Sequence, residues 1–201
     1  MSIRQITIAI DAMGGENSPY KVLKGTELFL NKNKDSKIKI VFFGIKEKIL
    51  EVIKIEKLKL NNYDIIDTIE NVKDEDSVNT ILRSRKNSSM YKGLEYTKNN
   101  LDTGFISAGN TAALMVLSRL HMGMISEIDR PAICSLIPNK KKYSLMLDLG
   151  ANLIVNGNNL LQFAIMGYCY FSILNKKTKP NIGILNIGTE NNKGLEFLQE
   201  G

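Results

Sequence analysis

Short runs of consecutive apolar residues alternate along this chain with longer segments of helical periodicity. The apolar runs predict strands at residues 6–10, 37–44, 63–69, 103–108, 131–138, 143–150 and 181–188. The helical segments lie at residues 18–30, 46–58, 77–99, 110–121 and 158–174, and the third is broken near residues 87–89. Strands that are apolar throughout are typical of parallel sheets buried on both faces. The pattern therefore predicts an α/β fold with helices packed on a mostly parallel sheet.

The composition of the chain suits a globular protein. Of its 201 residues, 43% are hydrophobic and 24% are charged, so the chain can bury a core. No internal repeat or low-complexity linker divides it, and we expect a single α/β domain over residues 1–201. A helical pattern begins near Lys193 and stops without a cap, so we expect this domain to be truncated at its C-terminus.

A net charge of +6 favours an acidic partner, such as nucleic acid, an anionic membrane surface or an acidic carrier protein. The lysines are scattered, no basic run is interleaved with aromatic residues, and the chain has no Trp. Nucleic acid is therefore not an expected partner. The apolar run before Asp11 is too short for a signal peptide, and residues 160–174 are too few and too polar to span a bilayer. We predict a cytoplasmic protein.

Side chains that ligate metals or act as nucleophiles form no recognisable set. Cys134 and Cys169 have no partner at ligand spacing, so we expect buried free thiols and neither a metal site nor a disulfide. His121 is expected to cap the C-terminal end of a helix, and Asp148 to form a turn. The sequence contains no G-x-S-x-G, G-x-G-x-x-G or G-x-x-x-x-G-K-[ST] motif, and we expect no cofactor.

Small and polar residues follow four of the predicted strands. These turns are Asp11 to Gly15, Gly109 to Thr111, Gly150 to Asn152, and Gly188 to Glu190. Ligands of α/β sheets bind at the carboxyl ends of the strands, where these turns are expected to lie. Glycines let the backbone approach a ligand closely, and the N–H groups at the following helix starts suit an anion. One such turn would be an ordinary strand–turn–helix junction, but four together predict a phosphate-type site.

Several side chains near these turns have specific expected roles. Asn110 or Thr111 is expected to cap its helix, while Ser107 and the N–H groups that follow it face the cleft. At the first helical segment, Ser18 is expected to be the N-cap and Pro19 the first helical residue.

The stretch RSRKNSSM, residues 83–90, brings basic side chains close to two hydroxyl groups. Arg83, Arg85 and Lys86 precede Ser88 and Ser89. The stretch would bind an acidic group, or it would form a solvated basic face of a helix. Both interpretations remain open at this point.

A set of short motifs occurs in the order found in the bacterial phosphate acyltransferase (PlsX) family. They are DAMGG, SSM, SAGNT followed by ALM, RPA, LDLGAN, QFAIMG, and LNIGTE followed by NKG. The chain from Ile6 to about Gly194 therefore resembles the N-terminal portion of this family, and the set is much more specific than any one motif. The resemblance implies a three-layer α/β/α sandwich similar to phosphate acetyltransferases and isocitrate dehydrogenases. It also implies a homodimer that binds the membrane peripherally.

The resemblance also implies an activity. In this family a fatty acyl group passes from acyl carrier protein to inorganic phosphate, and the acyl phosphate enters phospholipid synthesis. The implied partners are acyl carrier protein and inorganic phosphate, with a glycerol-3-phosphate acyltransferase acting downstream. Phosphate is itself the nucleophile, so the reaction needs an anion cradle and oxyanion donors rather than a Ser, Cys or His nucleophile.

The resemblance also implies which residues form the site. The residues carried over as catalytic are Asp11, Asn110, Thr111 and Lys193. The residues carried over as phosphate- or substrate-binding are Gly14, Gly15, Arg83, Lys86, Ser88, Ser89, Ser107, Gly109 and Asn152, with no metal.

The chain departs from the family pattern at particular positions. Glu16 stands where the family usually has Asp, Ala112 where it has Gly, and Leu153-Ile154 where it has Val-Asp. A DGF-GN segment found further along in family members does not occur in this sequence. Two alternatives to an active acyltransferase are therefore open. One is an inactive truncated remnant that acts as a binding or scaffold protein, and the other is a phosphate acetyltransferase that uses coenzyme A.

Overall fold

The computed structural model describes residues 5–34, 37–73, 75–140, 142–176 and 179–186. The chain divides into two compact units, Met1–Gly123 and Met124–Gly201. The first unit contains β1 (Ile6–Asp11), α1 (Tyr20–Lys32), β2 (Ile38–Gly44), α2 (Lys46–Ile55), β3 (Tyr63–Asp67), α3 (Val78–Ser84), α4 (Ser89–Asn99), β4 (Thr103–Ile106) and α5 (Thr111–Met122). The second unit contains β5 (Ser135–Pro138), β6 (Tyr143–Met146) and α6 (Gly157–Leu174).

Four parallel strands form the sheet of the first unit, in the order β3-β2-β1-β4. Successive side chains of a strand point to opposite faces, and both faces of this sheet are apolar. On one face, Phe42 packs in a buried cluster with Leu23 of α1 and Ile49 of α2. On the other face, the rings of Phe43 and Tyr96 of α4 lie 5.5 Å apart. Helices cover both faces, so the predicted three-layer α/β/α sandwich is confirmed.

A second helical cluster forms around α4. Ile81 of α3, Met90 and Leu94 of α4, and Ala113 and Leu117 of α5 are buried against one another. The predicted break near residues 87–89 is confirmed, since α3 ends before it and α4 begins at its end. This cluster joins α4 to α5 and so fixes the first turns of the two helices relative to each other.

The start of α1 differs from the prediction by one residue. Pro19 is the N-cap and Tyr20 the first helical residue, so the assignment of Ser18 as N-cap is wrong. The Ser18 hydroxyl is instead directed at the carbonyl oxygens of Gly14 and Gly15, at 2.6 and 2.7 Å. Its hydrogen bonds therefore close the loop after β1 rather than begin the helix.

The second unit has an antiparallel hairpin and one long helix. β5 pairs with β6, and Asn156 caps α6 in a reciprocal capping box with Asn159. Residues 181–186 of the strand predicted at 181–188 are not a strand, and the other two lie outside the described residues. Cys134 and Cys169 are free thiols but exposed, so their predicted burial is wrong. A two-stranded hairpin with one helix offers too few layers to bury them.

No helix in the described part of the chain combines the length and the apolar character needed to cross a membrane.

Candidate functional site

The strand order identifies one edge of the sheet as the place for a ligand. From β1 the chain moves to β2 and then β3 on one side, whereas β4 is added on the other side of β1. The strand order therefore reverses between β1 and β4, which makes this position a topological switch point. Open α/β sheets bind ligands at such points, at the carboxyl ends of the strands. Two turns lie at this point: residues 11–15 after β1, as predicted, and residues 107–111 after β4, which include the turn predicted at residues 109–111. We call them together the β1/β4 site.

A short chain of hydrogen bonds joins the two loops of the β1/β4 site. The Ser107 hydroxyl donates to Asp11 Oδ2 at 2.8 Å and accepts the Gly109 N–H at 3.1 Å. The other oxygen of the carboxyl group, Asp11 Oδ1, accepts the Met13 N–H at 3.1 Å. Asp11 and Ser107 therefore fix the loops relative to each other.

The loops approach so closely that only glycine fits at their contact. A Cβ atom at Gly14 would lie 2.6 Å from Asp11 Oδ2 and 2.8 Å from the Gly109 nitrogen. Gly15 has a φ of +85° and lies against Ala108, so it needs both the left-handed backbone and the missing side chain. Gly14 and Gly15 are therefore needed for the contact between the two loops, and their role in binding phosphate remains a prediction.

Asp11 is a buried acid, with a relative exposure of 2%. Burial raises its pKa above the usual value, and this outweighs the opposing effect of the Ser89 and Ser107 hydroxyls and of the Met13 and Gly14 N–H groups. Ser89 Oγ is near enough to lower the pKa, yet it forms no hydrogen bond of standard geometry within the described part of the chain. Asp11 is thus a buried carboxyl group whose pKa is raised although hydroxyl and N–H groups surround it.

The first turn of α5 offers donors for an anion. Asn110 is the N-cap, and its Oδ1 accepts the Ala113 N–H at 2.9 Å. Of the two alternatives predicted for the cap, Asn110 or Thr111, the first is therefore confirmed. Thr111 and Ala112 are exposed, and among the described residues their N–H groups have no hydrogen-bond partner. Unpaired N–H groups and the positive end of the helix dipole together attract an anion.

Ser88 and Ser89 lie at the start of α4, next to this site. Ser88 is the N-cap, accepts the Tyr91 N–H at 3.3 Å and is fully buried. Ser89 is also buried and faces Asp11. Met90 packs against the other loop, since its Cε atom lies 3.1 Å from the Cβ position of Gly109. The first turn of α4 therefore contacts both loops of the β1/β4 site.

The basic residues before α4 have different surroundings. The side chains of Arg83 and Lys86 are exposed, and their binding role remains a prediction. Arg85 instead forms ion pairs with Asp76 and Glu70. Sequence reasoning missed these two acids, because they lie in an irregular segment with no motif or periodicity that would link them to Arg85.

The turn after β6 belongs to the second unit. The Asp148 carboxylate accepts N–H bonds from Ile133 at 2.9 Å and from Asn152 at 2.8 Å. Burial acts to raise the Asp148 pKa, but these hydrogen bonds outweigh it and the pKa is lowered. Asp148 is thus the turn-forming carboxylate that was predicted. The Asn152 side chain donates to Asp148 and to the Pro131 carbonyl, and its role in phosphate binding remains a prediction.

Two expectations concern residues outside the described ranges. Lys193 and the turn from Gly188 to Glu190 lie outside the described residues. No group of three or more His, Cys, Asp and Glu side chains within the described ranges is arranged to hold a metal ion.

Comparison with known proteins agrees with the resemblance seen in the motifs. The family model described as fatty acid synthesis protein matches residues 6–201. Over 194 residues the chain is 43% identical to a phosphate acyltransferase of Caldicellulosiruptor bescii, covering 96% of this chain and 57% of that protein. Phosphate acyltransferases of Pelagibacter ubique and Anaplasma phagocytophilum are 42% and 40% identical, each over 97% of this chain.

The matches cover nearly all of this chain but only part of each relative. The chain spans about 57% of the length of the curated relatives that it matches, and the matched part includes every residue of the β1/β4 site. By its sequence, the chain belongs to the fatty acid synthesis protein family, the PlsX family of phosphate acyltransferases.

Proposed function

We propose that this chain takes part in transferring a fatty acyl group from acyl carrier protein to inorganic phosphate, with the β1/β4 site holding the phosphate. The observation that carries this proposal is the convergence, at the switch point of the sheet, of a glycine loop, a buried acid and a capped helix start. Family membership supports the reaction class, and the names of the curated relatives support phosphate as a substrate.

The proposed reaction needs no nucleophile from the protein. An oxygen of hydrogen phosphate attacks the thioester carbonyl, a C–O bond forms, and the C–S bond breaks. The proton lost by the phosphate ends on the carrier sulfur, which leaves as the thiol. The N–H groups of Thr111 and Ala112 would bind negative charge on phosphate or on the tetrahedral oxyanion. Asp11 would act through Ser107, which it holds in place beside Gly109.

The remaining partners are proposed on the family resemblance. A chain of net charge +6 attracts an acidic carrier protein, which favours fast association. We further propose a cytoplasmic homodimer in peripheral contact with the membrane, whose acyl phosphate product passes to a glycerol-3-phosphate acyltransferase for phospholipid synthesis.

The reaction can be tested by trapping its product. The purified chain, shown to be folded by circular dichroism, is given acyl carrier protein loaded with a fatty acyl group, in the presence and absence of inorganic phosphate. Hydroxylamine converts acyl phosphate to a hydroxamate, which is measured. We expect hydroxamate that depends on phosphate, whereas a folded sample that yields none would contradict the proposed activity of this chain.

The role of the first turn of α5 can be tested with Asn110→Ala. We expect the phosphate-dependent rate to fall about 10²-fold, because the N–H donors would lose the cap that orients them. The matched control is Asn156→Ala, which removes the same kind of cap from α6. Both variants should lose about 1 kcal/mol of stability. Equal rates for the two variants would remove Asn110 from the site.

A further inference from the structure

The turn that leads into α4 is held by a group of half-buried ion pairs. Arg85 Nε and Nη2 donate to the two carboxylate oxygens of Asp76, each at 2.8 Å, and Arg85 Nη1 donates to Glu70 Oε2 at 3.2 Å. The side-chain exposures are 22% for Arg85, 7% for Asp76 and 23% for Glu70. Forked contacts of this kind fix the guanidinium plane as well as its charge.

Arg85 and Glu70 also hold the backbone of this turn. Glu70 Oε1 accepts the Asn87 N–H at 3.1 Å, and the Glu70 carbonyl accepts the Ser89 N–H at 3.2 Å. The Arg85 carbonyl accepts the Ser88 hydroxyl at 2.7 Å and the Ser88 N–H at 3.1 Å. Residues 85–89 are therefore fixed by side chains and backbone of the same two residues.

This turn delivers the first residues of α4 to the β1/β4 site. Ser89 lies beside the Asp11 carboxyl group, and Met90 packs against the loop at Gly109. α4 itself packs on β1, β2 and β4, so its body is fixed while its first turn depends on residues 85–89. A change in the Arg85 contacts would thus be transmitted to both loops of the site.

We propose that Arg85 is a positioning residue, whose ion pairs with Asp76 and Glu70 hold Ser89 and Met90 against the two loops of the β1/β4 site. The inference rests on the proposed function, in that the site is taken to bind phosphate. It assigns to Arg85 no contact with substrate. Lysine at this position would keep the charge but lose the fork, so the geometry rather than the charge is the important property.

The first test measures phosphate kinetics. Arg85→Gln and Arg85→Lys should each lower kcat/KM for phosphate by about 10-fold to 10²-fold, since small displacements of a site carry losses of this size. Asp76→Asn should act in the same direction, because it weakens the fork while Arg85 keeps its contact with Glu70. Arg119→Gln, which removes an exposed arginine from the last turn of α5, is the charge-matched control and should keep the wild-type value.

The second test does not depend on activity. The pKa of Asp11 is followed by carbon-13 NMR of its labelled carboxyl group across pH. Ser89→Ala should raise this pKa, because the Ser89 hydroxyl lowers it. If Arg85 positions Ser89, Arg85→Gln and Asp76→Asn should raise it in the same way, and Arg119→Gln should leave it unchanged.

The outcomes separate positioning from general stability and from the proposed function. An unchanged Asp11 pKa in a folded Arg85→Gln or Asp76→Asn sample, or in Ser89→Ala, would overturn the positioning role. If Arg85→Gln does not fold, Asp76→Asn and Arg85→Lys decide the question. If wild-type protein shows no phosphate-dependent activity, the proposed function fails, but the Asp11 titration still reports whether Arg85 positions Ser89.

Discussion

At the scale of single residues, the β1/β4 site depends on the missing side chain of Gly14. The nearest neighbours of a Cβ atom at that position would be Asp11 Oδ2 and the Gly109 nitrogen. The second of these is a backbone atom, so it can yield only if the whole loop from Ser107 moves. Such a movement would break the Ser107 hydrogen bond to Asp11 that joins the loops.

We therefore expect Gly14→Ala to lower the free energy of unfolding by about 1–3 kcal/mol and to reduce phosphate-dependent activity. The matched control is Gly25→Ala in α1, where a Cβ atom would have no neighbour within 4 Å. Alanine favours a helix over glycine, so this control should gain about 0.5–1 kcal/mol. Both values come from urea unfolding curves, and equal stability of the two variants would contradict the steric argument.

At this scale the sequence reveals which residues are small but not what they contact. Gly14, Ser107 and Asn110 could be selected because turns of this kind follow four of the predicted strands, whereas a single one would be an ordinary strand–turn–helix junction. That Ser107 would bond to Asp11 could not be predicted, since the two residues are 96 positions apart. Long-range pairs of this kind depend on strand order, which the hydrophobic pattern does not contain.

At the scale of elements, α4 and α5 bring their first turns to the same site and pack along their lengths. Near the end of α5, the rings of His121 and Tyr91 meet edge to face with centroids 4.4 Å apart. His121 is buried, and its Nε2 has no hydrogen-bond partner within the described part of the chain. It is therefore a packing residue in the α4–α5 contact. The C-cap of α5 is Gly123, so the predicted role of His121 as a C-terminal cap is wrong.

This burial predicts a pH-dependent stability. Burial lowers the His121 pKa; Lys98 and Lys92 act in the same direction, and Glu95 opposes them. The unfolded chain takes up a proton near pH 6.5, whereas the folded chain does so only at lower pH. Stability is therefore complete above the unfolded pKa and is lost as pH falls from there through the folded pKa.

His121→Phe should remove this dependence while keeping the ring contact with Tyr91. We expect the variant to match or exceed the wild type at about pH 7.5 and to exceed it by more at about pH 5. His121 is the single histidine of the chain. Because wild type and variant are compared at the same pH, the contributions of the other titrating groups to stability cancel. Parallel stability curves for the two proteins would show that His121 is not buried in its neutral form.

The elements themselves were largely predictable in the first unit. β1 and β2 appear in the sequence as largely apolar runs between turns, although β3 also contains Asp64, which is exposed. The Arg85 ion pairs were not predictable, because Glu70 and Asp76 lie in a segment without periodicity. The strand expected at residues 181–188 shows the opposite error, since an apolar run alone does not supply a pairing partner.

At the scale of the whole molecule, stability and the proposed function make opposite demands on Asp11. The folded core of the first unit contains a carboxyl group whose pKa burial raises above 3.8. The folded state therefore binds a proton more readily than the unfolded state, and stability falls as pH rises from the unfolded pKa through the folded one. At pH values above the unfolded pKa the chain carries this penalty, which an uncharged residue of the same shape would remove.

Asp11→Asn tests this conflict. An asparagine Oδ1 can still accept the Met13 N–H, but its Nδ2 takes the place of Oδ2 and cannot accept the Ser107 hydroxyl. The contact between the loops is kept only if the Ser107 hydroxyl turns its proton away and its oxygen accepts from Nδ2. We expect a gain of about 0.5–2 kcal/mol in unfolding free energy at neutral pH, and this gain should shrink as pH falls toward the unfolded pKa.

Phosphate-dependent hydroxamate formation should fall in the same variant, because a buried acid that destabilises the fold is expected to serve the reaction. The measurements are urea unfolding across pH and the trapping assay on the same samples. A variant that is more stable and fully active would show that Asp11 only shapes the loop, and a less stable variant would show that its charge is favourable in the fold.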